Sequence, residues 1–200
     1  MSKGNKNLDP RHLLISVTRI LEDLSIPYIV SGGMAVFVWG RPRFTADVDI
    51  VIELRKTQID ELETALGKLG KNIYIDKDTM ADALLRQGEF NFIDNDLGTK
   101  VDFWILQNSE FDRSRLQRKK KRIILGKPVY FTSPEDLILI KLIWHKDSGS
   151  FLQLEDIKSI FKISGKKLDM NYLRKWSTRL GVSDIFKNIL KDKKDARGTN

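Results

Sequence analysis

The sequence predicts an α/β (α+β) fold: a mixed β-sheet with flanking helices, followed by a small helical C-terminal part. Three observations carry this expectation. Between residues 13 and 106, segments with helical spacing alternate with runs rich in β-branched and aromatic residues, the pattern of a chain that packs helices on a sheet. Beyond residue 131 only helical spacing remains. The 200-residue chain is 41% hydrophobic, enough for an ordinary core in one domain with an appendage.

The elements follow in order. Leu13, Leu14, Val17, Ile20, Leu21 and Leu24 recur at helical spacing, with Asp9 placed as N-cap and Pro10 at the first helical position. After the break at Pro27, Tyr28-Ile29-Val30-Ser31 reads as a short buried strand that Gly32-Gly33 ends. Met34 to Trp39 is helical until Gly40-Arg41-Pro42-Arg43, and Asp47-Val48-Asp49-Ile50-Val51-Ile52 is a strand. Thr57 to Leu69 carries Ile59, Leu62, Leu66 and Leu69 on one side of a helix. Ile73-Tyr74-Ile75 and Glu89 to Ile93 are strands around a helix from Thr79 to Arg86 capped by Asp78. The turn Asp94 to Gly98 leads into the strand Lys100 to Leu106. Ser133-Pro134-Glu135-Asp136 supplies an N-cap, a proline and first-turn acids for a helix through Trp144, and 151–163, 171–180 and 182–190 are helical in spacing. The expected divisions are a core at 1–130, a helical subdomain at 131–192 and a flexible polar tail at 193–200.

Composition narrows the chemistry. There is no cysteine, so disulfides, thiolate metal sites and a cysteine nucleophile are excluded. Two histidines make a histidine-rich zinc centre a poor expectation, and oxygen ligands favour magnesium or manganese. No apolar run approaches the roughly 18 residues that cross a bilayer, and Met1 to Asn7 is not followed by the apolar segment of a secretory signal, so a cytoplasmic location is expected. The formal charge is +8, concentrated in Arg113 to Arg122 and again towards the C-terminal end. Such a field attracts polyanions, nucleoside triphosphates and RNA alike; a solvated face that aids solubility is the plainer reading.

Asp47 and Asp49 are two residues apart on a strand, so they share one face, roughly 7 Å apart. Two carboxylates held in that way repel unless a cation lies between them. Asp102, the only charged side chain in Val101 to Leu106, is a third acid whose burial would be costly without a cation. Three acids on two strands can hold divalent ions that clamp attacking and leaving oxygens in nucleotidyl transfer. Gly32-Gly33 at a helix start offers backbone N–H groups to phosphate. Duller alternatives stand beside these: solvent-facing acids at a strand end for Asp47 and Asp49, an ion pair of Asp102 with Arg41 or Arg43, and a snorkelling Lys141.

Gly32-Gly33, then thirteen residues, then Asp47-Val48-Asp49-Ile50, with a later lone acid in Val101-Asp102-Phe103, resembles the DNA polymerase beta-like nucleotidyltransferase superfamily. The approach Gly40 to Asp47 and the later Ser133-Pro134-Glu135-Asp136-Leu137 with Lys141 are similar to its small bacterial abortive-infection (AbiEii-like) branch. The resemblance spans most of residues 12 to 165 and implies a nucleotidyltransferase-type sheet. It implies that Asp47, Asp49 and Asp102 bind Mg2+ (or Mn2+), with Asp102 also helping to deprotonate the acceptor hydroxyl. Gly32, Gly33, Arg43, Thr45 and Lys141 would hold the triphosphate. The chain departs from the branch at Gly33, where some members have serine, and after the lysine helix, where His145-Lys146-Asp147 replaces an arginine-rich turn. The implied activity moves a nucleoside monophosphate from an NTP to an acceptor hydroxyl, RNA or tRNA being the first expectation. A cognate antitoxin is the implied partner if the protein is a toxin. The alternative is a catalytically inactive nucleotide-binding or partner-binding module on the same fold.

Overall fold

The structure, a computed structural model, describes residues 9–43, 45 and 47–198, with side chains as far as Lys191. Met1 to Asn7, Phe44, Ala46 and the side chains of the expected tail lie outside the described residues. The chain forms two compact units, one of residues 1–34 and 44–132, the other of residues 35–43 and 133–200.

The first unit is built on a mixed seven-stranded sheet. Its strands are β1 (Tyr28–Val30), β2 (Asp47–Ile52), β3 (Ile73–Tyr74), β4 (Glu89–Asp94), β5 (Thr99–Ile105), β6 (Lys120–Ile124) and β7 (Lys127–Phe131), in spatial order β3-β4-β5-β2-β1-β7-β6. β2 runs parallel to β5 and β1 parallel to β7, while the other neighbours are antiparallel. Helix α1 (Pro10–Asp23) starts as its sequence demands: the Asp9 carboxylate accepts from the Arg11 N–H and Pro10 occupies the first turn. Its Leu14, Val17 and Leu21 are fully buried, and it packs near β2, β7 and α3 (Ile59–Gly67).

Helix α4 (Lys77–Arg86) is capped by Asp76, not by Asp78. Asp76 has the extended backbone an N-cap requires and accepts from the Thr79 N–H at 2.7 Å, which leaves Asp78 as a first-turn acid. Three elements were not anticipated: α5 (Glu110–Gln117), β6 and β7. The sheet-edge strand β6 shows no alternation because Lys120, Lys121, Arg122 and Ile123 are all exposed, and charged edges are how sheets avoid pairing with other chains. Pro128 hides β7, since proline argues against a strand interior.

The two faces of the central strands differ sharply. Val48, Ile50 and Ile52 on β2, Val101 and Phe103 on β5, and Phe92 on β4 are fully buried on one face, where Phe90 stacks on Phe103 at 4.9 Å. The opposite face carries Asp47, Asp49, Lys100, Asp102, Glu89 and Asn91, together with Val51, Ile93 and Trp104. Period-two alternation thus splits each strand into a half that holds the sheet and a half free for chemistry.

Helix α2 (Gly32–Trp39) begins in the first unit and continues into the second. The second unit further contains α6 (Pro134–Ser148), α7 (Phe151–Ser164), α8 (Met170–Arg179) and α9 (Ser183–Gly198). Ser133 caps α6 as expected, accepting from the Asp136 N–H. The Tyr172 hydroxyl of α8 donates to Asp136 at 2.6 Å, tying α8 to the start of α6.

Candidate active site

The sheet register assembles the acids. Asp49 on β2 is the Cα partner of Asp102 on the parallel strand β5, and Asp47 is the partner of Lys100. Strand neighbours lie about 4.8 Å apart, so Asp49 and Asp102 are adjacent with Asp47 one pleat away. On the far side of β5, Asn91 of β4 pairs with Asp102 and Glu89 with Trp104. One face therefore carries Asp47 and Asp49, then Lys100, Asp102 and Trp104, then Glu89 and Asn91.

The Lys100 ammonium lies 2.9 Å from Asp102 Oδ2. This corrects the alternative in which Asp102 would pair with Arg41 or Arg43, because Lys100, two residues away on the same face, reaches it first. The other oxygen, Asp102 Oδ1, is buried and has no hydrogen-bond partner among the described residues, and the same holds for Asn91 Oδ1 and Trp104 Nε1 on that face. The Lys100 pKa is raised, first by its hydrogen bond to Asp102 and further by the charges of Asp102, Asp47 and Glu89, against an opposing push from burial. Glu89 is held above the usual carboxylate range by burial first, then by the negative charges of Asp102 and Asp49, while Lys100 pulls it down.

Gly32 stands at the first turn of α2 with φ +55°, a left-handed backbone that glycine adopts freely. A Cβ placed there would fall 1.7 Å from Asp49 Oδ2, so the carboxylate of Asp49 occupies the space that a side chain would need. At Gly33 a Cβ would fall 2.6 Å from Thr45 Oγ1, and that hydroxyl donates to the Asp47 carbonyl at 3.1 Å. The diglycine thus lets the helix start close onto the end of β2. The Ser31 N–H donates to the Asp49 carbonyl at 2.8 Å and fixes the approach.

Asp47, Asp49, Asp102, Gly32, Gly33 and Thr45 all lie in the first unit and are brought together there. Arg43 and Lys141 are joined to each other in the second unit, through Asp156. Arg43 donates to both Asp156 oxygens at 2.9 Å, and Lys141 Nζ lies 2.8 Å from Asp156 Oδ2 and donates to Gln153 at 2.9 Å. Lys141 does not snorkel: its side chain is 1% exposed, and a buried ammonium requires such an anion. Sequence reading missed Lys100, Glu89, Asn91 and Asp156. The signal for Lys100 was its position two residues before Asp102, on the same face.

No protein-family model matches the sequence, and no curated protein does. Solved structures do. The antibiotic-resistance factor ANT(2'')-Ia in solution superposes with a TM-score of 0.58 at 14% identity, over 95% of this chain and 97% of that one. The chain shares the fold of a nucleotidyltransferase. The same enzyme in complex with adenylyl-2''-tobramycin gives a TM-score of 0.57 at 14% identity over 85% and 95% of the two chains. The lincomycin-bound lincosamide antibiotic adenylyltransferase LnuA gives 0.50 at 14% identity over 78% and 97%.

The donor set suits a hard divalent cation, being made of carboxylates on one face with a buried, unpartnered Asp102 oxygen. Among the described residues no group of three or more His, Cys, Asp or Glu side chains is arranged to hold a metal ion as it stands. A cation does sit among them, and it is the ammonium of Lys100.

Proposed function

We propose that the protein is a metal-dependent nucleotidyltransferase that moves a nucleoside monophosphate from an NTP to an acceptor hydroxyl and releases pyrophosphate. The observation that carries this reading is the register of Asp49 against Asp102 on parallel neighbouring strands, with the Asp49 carboxylate seated against Gly32. Asp47, Asp49 and Asp102 would hold Mg2+ or Mn2+, which supplies charge neutralisation of the triphosphate and of the developing oxyanion. The backbone N–H groups at Gly32 and Gly33, at the positive end of α2, would bind a phosphate oxygen. Asp102, the most buried of the three acids, would accept the proton of the acceptor hydroxyl. The chain's own contribution is positioning, since in-line phosphoryl transfer asks little covalent chemistry of a protein.

A small hydroxylated acceptor, of the class named for ANT(2'')-Ia and LnuA, is the reading we favour, because Glu89, opposite Trp104 on the neighbouring strand, extends the carboxylate face that a cationic sugar would meet. RNA is the second reading, favoured by the exposed Lys120, Lys121 and Arg122 of β6, and a toxin role held in check by an antitoxin would follow from it. Part of the basic segment is already committed: Arg115 is buried on Asp112, and Lys119 lies over the Tyr130 ring at 4.5 Å.

The test is magnesium- or manganese-dependent pyrophosphate release from each of the four common triphosphates, with an amino-sugar panel or total cellular RNA as acceptor. Transfer that disappears in both Asp47→Ala and Asp49→Ala, with the fold retained, supports the reading. Turnover retained in both overturns it, and nucleotide binding without any turnover in the parent protein favours the inactive binding module. Salt separates the acceptors: RNA binding weakens steeply between low and moderate salt, whereas a small acceptor barely responds.

A further inference from the structure

Asp47, Asp49, Asp102 and Glu89 put four carboxylates on one face of three adjacent strands, where like charges repel unless a cation is present. The register sets Lys100 in their midst, opposite Asp47 and two residues from Asp102, with its ammonium 2.9 Å from Asp102 Oδ2. The second oxygen of Asp102 is buried and, among the described residues, unpartnered: a half-satisfied carboxylate. A monovalent ammonium on a tether neutralises only part of this face.

We propose that Lys100 is the resident counterion of the acidic face and that divalent metal enters by exchange, taking Asp102 from the ammonium. The inference rests on the metal-binding reading above. It explains why the carboxylates are not arranged to hold a metal ion as they stand: Asp102 is engaged by Lys100, and its free oxygen waits for a stronger cation. Lys100 is then a positioning residue that keeps the strands paired without metal and lowers the affinity for it by competition.

The experiment is calorimetric titration of Mn2+ alone into the full chain and into Lys100→Met, Lys100→Gln and Lys100→Arg, with melting temperatures in chelator and in Mn2+. Removing the competing ammonium should tighten Mn2+ binding about tenfold, the scale of one charged hydrogen bond. Lys100→Arg should stay within about threefold of the parent, since it keeps the charge. In chelator Lys100→Met should melt below the parent, and Mn2+ should raise its melting temperature by more. Lys100→Gln serves the same comparison if methionine prevents folding. Equal or weaker Mn2+ binding by both neutral variants, with parent binding intact, overturns the role of Lys100 alone. Absence of Mn2+ binding in the parent and in every variant overturns the metal reading and this inference with it.

Discussion

Asp156→Ala removes the carboxylate that two cations share. Lys141 Nζ, on a side chain 1% exposed, would keep Gln153 as a hydrogen-bond partner but lose its anion. Breaking a buried pair from one side costs about 3–5 kcal/mol. The Arg43 contact adds less, because that side chain is about a third exposed and water takes over part of its solvation. With a urea slope of about 2 kcal/mol per molar, the unfolding midpoint should fall by about 2 M. Equilibrium unfolding followed by circular dichroism reads this directly. Adding Lys141→Met should restore much of the loss, because the unpaired charge goes too. A midpoint shift below about 0.5 M, or a double variant no more stable than the single, would refute the reasoning. The pH dependence has a definite sign. Burial is the largest single influence on the Asp156 pKa and raises it, but the hydrogen bonds and charges of Arg43 and Lys141 outweigh that and leave it below its ordinary value. A carboxylate depressed in the fold stabilises above its unfolded value of about 3.9 and loses that contribution as pH falls through its folded value. Acid unfolding of the parent should therefore be steeper below about pH 4 than that of Asp156→Ala.

Three further outcomes are expected. Gly32→Ala forces a left-handed alanine, costing about 1–2 kcal/mol, and displaces the Asp49 carboxylate; pyrophosphate release should fall at least tenfold in a still-folded protein, and unchanged turnover would exclude the cradle. Phe103→Ala, fully buried and stacked on Phe90, should lose about 3–5 kcal/mol in thermal or urea unfolding. Leu14→Ala should cost about 2–5 kcal/mol in the same assay, since α1 meets the sheet through that stripe.

The sequence revealed most where one local rule acts alone. Asp9-Pro10 and Ser133-Pro134 fixed two helix starts because capping is a matter of a few adjacent residues. Alternation on β2 and β5 exposed the acids because a carboxylate among Val48, Ile50, Val101 and Phe103 breaks a hydrophobic pattern. Strand pairing was not legible, and it is pairing that places Asp49 beside Asp102. The edge hairpin of β6 and β7 escaped because its exposed cations and Pro128 carry the marks of a loop. Asp156 looked like one more charge in Leu154-Glu155-Asp156-Ile157, and only the tertiary fold brings Lys141 and Arg43 to it.

Lys141 and Lys100 show why charge must be judged by its partner. In the sequence, Lys141 stands out as the one cation within Leu137 to Ile143, whereas Lys100 is one charge at the start of a strand. In the fold the ammonium of Lys141 is sealed against Asp156, an arrangement whose disruption registers first as lost stability. Lys100 is more than a third exposed and touches an acid that has an unused oxygen. Water and ions can compete for such a contact at small cost, which makes it a replaceable one. A buried, saturated pair holds a fold together, whereas a half-exposed pair with spare acceptor capacity can yield to another cation. That difference in exposure and saturation, rather than the presence of lysine, is what separates the two contacts.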